Sequence, residues 1–309
     1  RTSRSTMTLN ALTDLSDRKT VNINLLTHLE YERVLYLVGT GINLPAAKKQ
    51  AETEILNAFG IRGDFASSED LDIFGKGEAN AALLAFSILM LGDLNEAELT
   101  RRLSKFATDI EKDGAWDDEV VKANIADWAR SADLNGNLRY IRDNIKEWNL
   151  GVVPDFEKYV RKFWYMIYGL GNCDSKNGGE VTSTKNEYSN IYNTQFRFIC
   201  KDEAWVEASN IEKDFYMSNK DNGDDGELWV GPVTGYIYKY DEGLKKWLSV
   251  TQNDKTLKLN GCTTNRIGEV GKSPVDDTYD MCSENGSYQD SDWRKATEFE
   301  YDTYGETCT

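Results

Sequence analysis

The chain has 309 residues and a formal net charge of -16 at pH 7, with 40% hydrophobic, 11% aromatic and 28% charged residues. That length suits two domains around one sizeable core, and that composition suits a folded protein with a water-facing surface. The charge excludes nucleic acid, whose phosphates it would repel, and anionic membrane surfaces.

Arg1 is followed by no apolar leader stretch, so a signal peptide is expected to be missing from this chain. Residues 1–25 alternate apolar and polar positions around Met7, Leu9 and Ala11 and again at Val21, Ile23 and Leu25, with Asp14, Ser16 and Asp17 between. Period two predicts one or two strands, the remnant of a truncated preceding β domain.

Residues 26–170 change to a helical period and are expected to form an all-helical domain of about seven helices. Leu99, Leu103, Phe106 and Ile110 share one face behind the capping-box pair Asn95 and Glu98. Residues 81–91 are apolar all round, too short to span a bilayer, and read as the central buried helix. Gly60, Gly92, Gly114 and Gly151 fall where helices should stop.

After residue 170 Gly, Asn, Ser, Asp and Tyr take over, and the chain repeats itself. Cys173 is followed at +6 to +8 by Gly179, Glu180 and Val181, and Cys262 at the same offsets by Gly268, Glu269 and Val270. Cys200 then precedes Trp205, Ala208, Ile211, Glu212, Asp214 and Tyr216, while Cys282 precedes Trp293, Ala296, Phe299, Glu300, Asp302 and Tyr304 at matching offsets from the tryptophan. A degenerate copy between them keeps Glu227, Leu228, Tyr240 and Trp247 but has Lys220 where the first cysteine belongs. Because both cysteines vanish together there, Cys173 is paired with Cys200 and Cys262 with Cys282. Cys308 is read as the first cysteine of a further copy, hence a free thiol. With no C-x-x-C pair and one histidine in the chain, disulfides in an oxidising compartment fit better than zinc. The expected fold class is α+β: residues 171–218, 219–260 and 261–309 form small disulfide-stapled β repeats after the helical domain.

The run Cys-x5-Gly-Glu-Val, Cys, Trp293-Arg-Lys-Ala-Thr, Glu300-x-Asp-Thr-Tyr-Gly resembles the short repeats of secreted surface lipoproteins from Fibrobacter-type plant-fibre-degrading bacteria. Residues 22–34 and 46–52 resemble the helical segment of the same lipoproteins. The resemblance implies a cell-surface or outer-membrane protein anchored through an N-terminal cysteine that this chain lacks, and brings no catalytic residues with it. The middle copy departs from the pattern by losing its disulfide.

Glu212 with Asp214, and Glu300 with Asp302, could be offered as paired carboxylates for glycoside hydrolysis, but their recurrence per copy suits a turn or cap better. The aromatics Trp205, Trp247, Trp293, Tyr236 and Tyr238 are candidate platforms for sugar rings; a core role is the competing reading for the tryptophans, and the tyrosines are the better surface candidates. The run 221–227 fails the EF-hand spacing, and Asp133, Asn135 and Asn137 have Leu138 where glycine is needed. His28 has no second histidine or cysteine near it, and no G-x-S-x-G elbow exists. No catalytic constellation, metal or cofactor is therefore expected. The function expected is a non-enzymatic, monomeric, secreted or surface module that displays or spaces other domains and contacts plant cell-wall polysaccharide. The alternative is a polysaccharide hydrolase using carboxylates in a helical-domain cleft.

Overall fold

A computed structural model of the chain describes residues 7–16, 18–218, 222–224, 227–250, 267–272, 278–284, 291–298 and 300. Among them seven α-helices come first: α1 Leu25–Gly39, α2 Leu44–Ala58, α3 Glu78–Leu91, α4 Glu96–Ile110, α5 Glu119–Leu134, α6 Asn137–Glu147 and α7 Glu157–Tyr168. None is long and apolar enough to cross a membrane. Side-chain caps fix several starts: Asn24 and Thr27 close a capping box on α1, Asn95 and Glu98 on α4, and Asp118 accepts from Val121 N–H on α5. Each supplies a partner for an amide the helix cannot itself satisfy.

Helix α3 runs through the centre, buried on every side from Ala81 to Ala85 and again at Phe86, Ile88, Leu89 and Met90. At the end of α2, Phe59 is fully buried among Phe86, Phe106, Trp116 and Phe163, with ring centroids 4.8 to 5.8 Å apart. One ring thus ties α2, α3, α4 and α7 together, and truncating it would cost about 3–5 kcal/mol.

The N-terminal alternation does not make the expected strands. Residues 7–16 and 18–24 are extended without a strand ladder and lie as a strap along the helices. Asn22 N–H donates to Glu69 O (3.0 Å), its Nδ2 to Leu71 O (3.1 Å), and Lys48 Nζ to Leu12 O (2.7 Å). Met7 packs on the main core and Leu12 beside Val34, Leu37, Ala47 and Ala51. A chain crossing helices can also bury alternate side chains, so period two alone does not require a sheet.

Three antiparallel three-stranded sheets follow, each in simple sequential order: β1 Val181–Thr182, β2 Phe198–Lys201 and β3 Ala204–Glu207; then, after α8 Asn210–Ser218, β4 Leu228–Val230, β5 Ile237–Asp241 and β6 Lys246–Val250; then β7 Val270–Lys272, β8 Tyr279–Glu284 and β9 Ser291–Lys295. Their registers coincide. Cys200 stands opposite Trp205, Tyr240 opposite Trp247 and Cys282 opposite Trp293. Cys200 N–H donates to Glu180 O (3.0 Å), Tyr240 N–H to Glu227 O (2.9 Å) and Cys282 N–H to Glu269 O (2.9 Å). The architecture is α+β, with the helices mostly ahead of small antiparallel sheets.

The compact units are Arg1–Glu207 and Ala208–Thr309, so the expected break at residue 170 is displaced. The reason is burial. Phe198, Cys200 and Trp205 belong to the same core as the helices, with the Phe198 ring 5.4 Å from Trp164 and 5.7 Å from Tyr168. The periodicity changes at 170, but the apolar surface of α7 continues into the first sheet. Cys173 and Cys200 are joined by a disulfide (Cα–Cα 5.4 Å), closing a loop of sequence separation 27; loop closure of that size stabilises by about 3.5 kcal/mol. Cys282 is also disulfide-bonded. Cys262 and Cys308 lie outside the described residues, and with them the expected Cys262–Cys282 pairing and the free thiol.

Candidate functional site

The recurring carboxylates are structural. Glu212 accepts from Ser209 N–H (2.7 Å) and its own amide donates to Ser209 Oγ (3.3 Å), a capping box that starts α8. Glu300 repeats it with Thr297, accepting its amide at 2.8 Å, and pairs with Arg294, which holds the Glu300 carboxyl down at about 2. Asp214 is fully buried and accepts from Val233 N–H (2.6 Å), Thr234 N–H (3.1 Å), the Thr234 hydroxyl and Tyr238 OH (2.8 Å), so it fastens α8 to the β4–β5 turn. Asp302 lies outside the described residues.

The aromatic candidates separate by exposure. Trp205 is 1% exposed, with its indole N–H donating to Gly171 O (3.1 Å) and its amide to Tyr165 OH (3.0 Å). Tyr238 is 0% exposed, between Phe215 and Trp229. Neither offers a ring face to a ligand, which corrects both as contact candidates; each fills a small sheet that has little else to bury. Tyr236 is 55% exposed and stays available, and Trp247 is half-buried against Trp229 and Tyr240. Trp293 is placed by its backbone opposite Cys282; its side chain lies outside the described residues. Asp133 is occupied by Arg161 Nε (2.9 Å) and Trp164 Nε1 (3.3 Å), and His28 Nδ1 accepts from Asn10 N–H (3.2 Å).

Two features of the helical unit went unread in the sequence. The first is a buried carboxylate cluster. Lys48 Nζ lies 2.8 Å from Glu69 Oε1 and 3.7 Å from Glu30 Oε2, the Ser68 hydroxyl donates to Glu30 Oε2 (2.8 Å), and Ser68 N–H donates to Glu52 Oε2 (3.1 Å). Burial pushes Glu30 up to about 8, against the opposing pull of Lys48 and Ser68. Burial also pushes Glu69 up, but the Lys48 ammonium and the hydroxyls of Ser67 and Thr13 outweigh it and hold it at about 2. Burial raises Glu52. Among the described residues Glu30 Oε1 has no hydrogen-bond partner, which a neutral carboxyl tolerates far better than a carboxylate. A sequence signal existed: on α1 Glu30 and Arg33 interrupt the buried stripe of Leu26, Leu29, Val34 and Leu37. Beside the cluster, Asp14, Arg18, Lys49, Glu52 and Glu69 line a cavity of about 360 Å³.

The second is a groove of about 850 Å³ along α4, closed by the α4–α5 loop and Val121 at the start of α5. Leu94, Phe106, Trp116 and Val121 form its apolar part. Trp116 is fixed by stacking on Phe59 (5.0 Å) and edge contact with Phe106 (5.0 Å). Glu98, Arg101, Arg102 and Lys105 lie along the α4 side, so charges of both signs stand there. Asp109, Asp117 and Asp118 gather at the far end, where Asp109 Oδ2 accepts from Asp117 N–H (2.7 Å) and Asp118 N–H (3.3 Å). Arg102 Nη1 donates to Met90 O (3.0 Å) at the end of α3, and burial lowers its pKa. No single-element pattern announces such a groove, because the α4–α5 loop folds back along α4 to close it. In comparisons with protein-family models, curated proteins and solved structures, no match to this chain is found.

Proposed function

We propose that the chain, a helical body followed by copies of one small β module, is a non-enzymatic protein of the cell surface or extracellular space that displays or spaces other domains and contacts plant cell-wall polysaccharide. The carrying observation is the common register of the three sheets: a Cys or Tyr opposite a Trp, with the same strand's amide bonded to a Glu carbonyl. Three unrelated hairpin sheets would have no reason to share it. Two of the three carry a disulfide-bonded cysteine at that position, and in the middle sheet the Tyr240 ring packs edge-on to Trp247 at 5.3 Å instead. A unit this small buries little apolar area, so a bridge or an aromatic pair supplies what its core lacks. The Cys173–Cys200 disulfide supports an oxidising compartment. The resemblance to fibre-degraders' surface lipoproteins supports the surface reading, with any membrane attachment through a lipid anchor.

The hydrolytic alternative gains one observation, the divergent protonation of Glu30 and Glu69, a pattern acid–base pairs use. Against it, both carboxyls are 2% exposed, and a glycosidic bond must reach both. Affinity electrophoresis in gels of soluble glucan and xylan, with reducing-sugar release from the same panel, tests the proposal. Retardation without sugar release is expected. Sugar release abolished by Glu69→Gln would replace it with the hydrolase reading, and retardation by no polysaccharide would remove polysaccharide contact.

A further inference from the structure

We infer that residues 7–11 form an acid-released strap: the Asn10 amide is fastened to His28 Nδ1, and protonation of that ring frees the strap from the helical unit. His28 is the only histidine in the chain, and the proposed function does not call on it. It stands half-buried at the start of α1, where its Nδ1 accepts from Asn10 N–H at 3.2 Å. An accepting Nδ1 puts the proton of the neutral ring on Nε2. Once the ring takes a second proton both nitrogens are donors, so the bond is lost and two N–H groups face each other.

The surroundings make that one bond count. Residues 7–11 are extended and, among the described residues, pair with no strand, so no ladder shares the load. The next fastener along the chain is the Lys48 ammonium, which donates to Leu12 O (2.7 Å), with Leu12 itself seated beside Val34, Leu37, Ala47 and Ala51. Lys48 is held in turn by Glu69, whose carboxyl stays ionised down to about 2, and Glu30 beside it is already neutral below about 8. Mild acid therefore leaves the Leu12 anchor closed while it opens the one at His28. Leu12 becomes the hinge about which Met7 leaves the helical core.

Burial lowers the His28 pKa, and Glu32, one turn further along α1, pulls the other way; from the strap the ring meets the Asn10 amide. A ring freed from the strap thus takes its proton more readily than a docked one. Docking is complete above the ordinary value of 6.5 and weakens as pH falls below it, by at most about tenfold per pH unit. Glu52, whose pKa burial raises, is the remaining carboxyl of the Lys48 cluster that mild acid can reach, and variants of His28 separate its titration from that of the ring.

Hydrogen exchange of the full chain at about pH 7.5 and about pH 5, corrected for intrinsic amide rates, tests the strap. Exchange across residues 7–11 is expected to accelerate about two- to tenfold in acid, the range one hydrogen bond supports, while α1–α7 keep their protection. His28→Asn keeps a side-chain oxygen that accepts the amide without titrating, so its strap should stay closed at both pH values; His28→Ala should leave it open at both. Equal wild-type exchange at the two pH values would overturn the proposal. Acid opening that persists in His28→Asn would also overturn it, because another group, Glu52 first, would then be the sensor. A reciprocal measurement leaves the helix untouched. In Asn10→Pro, which removes the donating N–H, the NMR titration of the single histidine should move up toward its ordinary value, and an unchanged midpoint would show that strap and ring are not linked.

Discussion

Glu30 shows how one residue can carry a pH dependence for the whole helical unit. It occupies a position in the buried stripe of α1, where desolvation penalises its charge and Lys48 only partly offsets that. Its folded pKa of about 8 lies above the ordinary value of 4.5, so between those values the folded chain holds a proton that the unfolded chain has released. Its contribution is therefore complete below about pH 4.5 and is lost as pH rises through about 8, with a slope of at most about 1.4 kcal/mol per pH unit. Glu69 has the opposite sign: its contribution is present above the ordinary value and lost as pH falls toward 2. Urea unfolding of Glu30→Gln is expected to show a flatter decline in stability between about pH 5 and pH 8 than the wild type; parallel declines in the two proteins would refute this account. Asp214 is the residue-scale joint of the second unit. Asp214→Ala would leave four donors without their acceptor, at a cost of about 2–4 kcal/mol. Hydrogen exchange should show protection lost at Val233, Thr234 and the β4–β5 amides while α1–α7 keep theirs. Undiminished protection in the β4–β5 turn would show that Asp214 does not hold it.

At the scale of elements, what is local in chemistry was legible. The capping pair Asn95 and Glu98, the apolar face of α4 and the all-round apolar α3 are each set by neighbours within a turn or two. The Cys173–Cys200 pairing was legible too, because both cysteines are missing together from the middle copy, as expected of two partners in one bridge. The N-terminal strap was not. Its alternation of apolar and polar residues is real, but its backbone finds partners at Glu69 O and the Lys48 ammonium, and the Asn22 side chain at Leu71 O, instead of a neighbouring strand. Likewise Trp205 and Tyr238 carry the residue types of a sugar platform, and only the packing of the strands against helix or ring neighbours turns them inward.

For the whole molecule, the decisive point is where the first sheet belongs. Phe198 and Trp205 complete the core of the helical unit, so a fragment ending at residue 207 is expected to unfold cooperatively, with the helical circular dichroism the full chain owes to α1–α7. A fragment ending at residue 170 loses both side chains and the Cys173–Cys200 bridge, and its urea midpoint should fall by an amount equivalent to about 5 kcal/mol or more. Equal midpoints for the two fragments would contradict the packing described.

The amino-acid sequence by itself determined the helical block, its caps and central helix, the recurring Gly-Glu-Val, Cys and Trp offsets, and the α+β class, because periodicity, capping and spacing are properties of residues close together in the chain. Only the tertiary structure decided that the first sheet joins the helical core, that Glu30, Glu52 and Glu69 share a buried site, that Trp205 and Tyr238 are closed to ligands, and that a charged trough runs along α4 under the α4–α5 loop. Those are matters of burial and separation. They are set by which surface lies against which, and no residue type or interval along the chain encodes that alone.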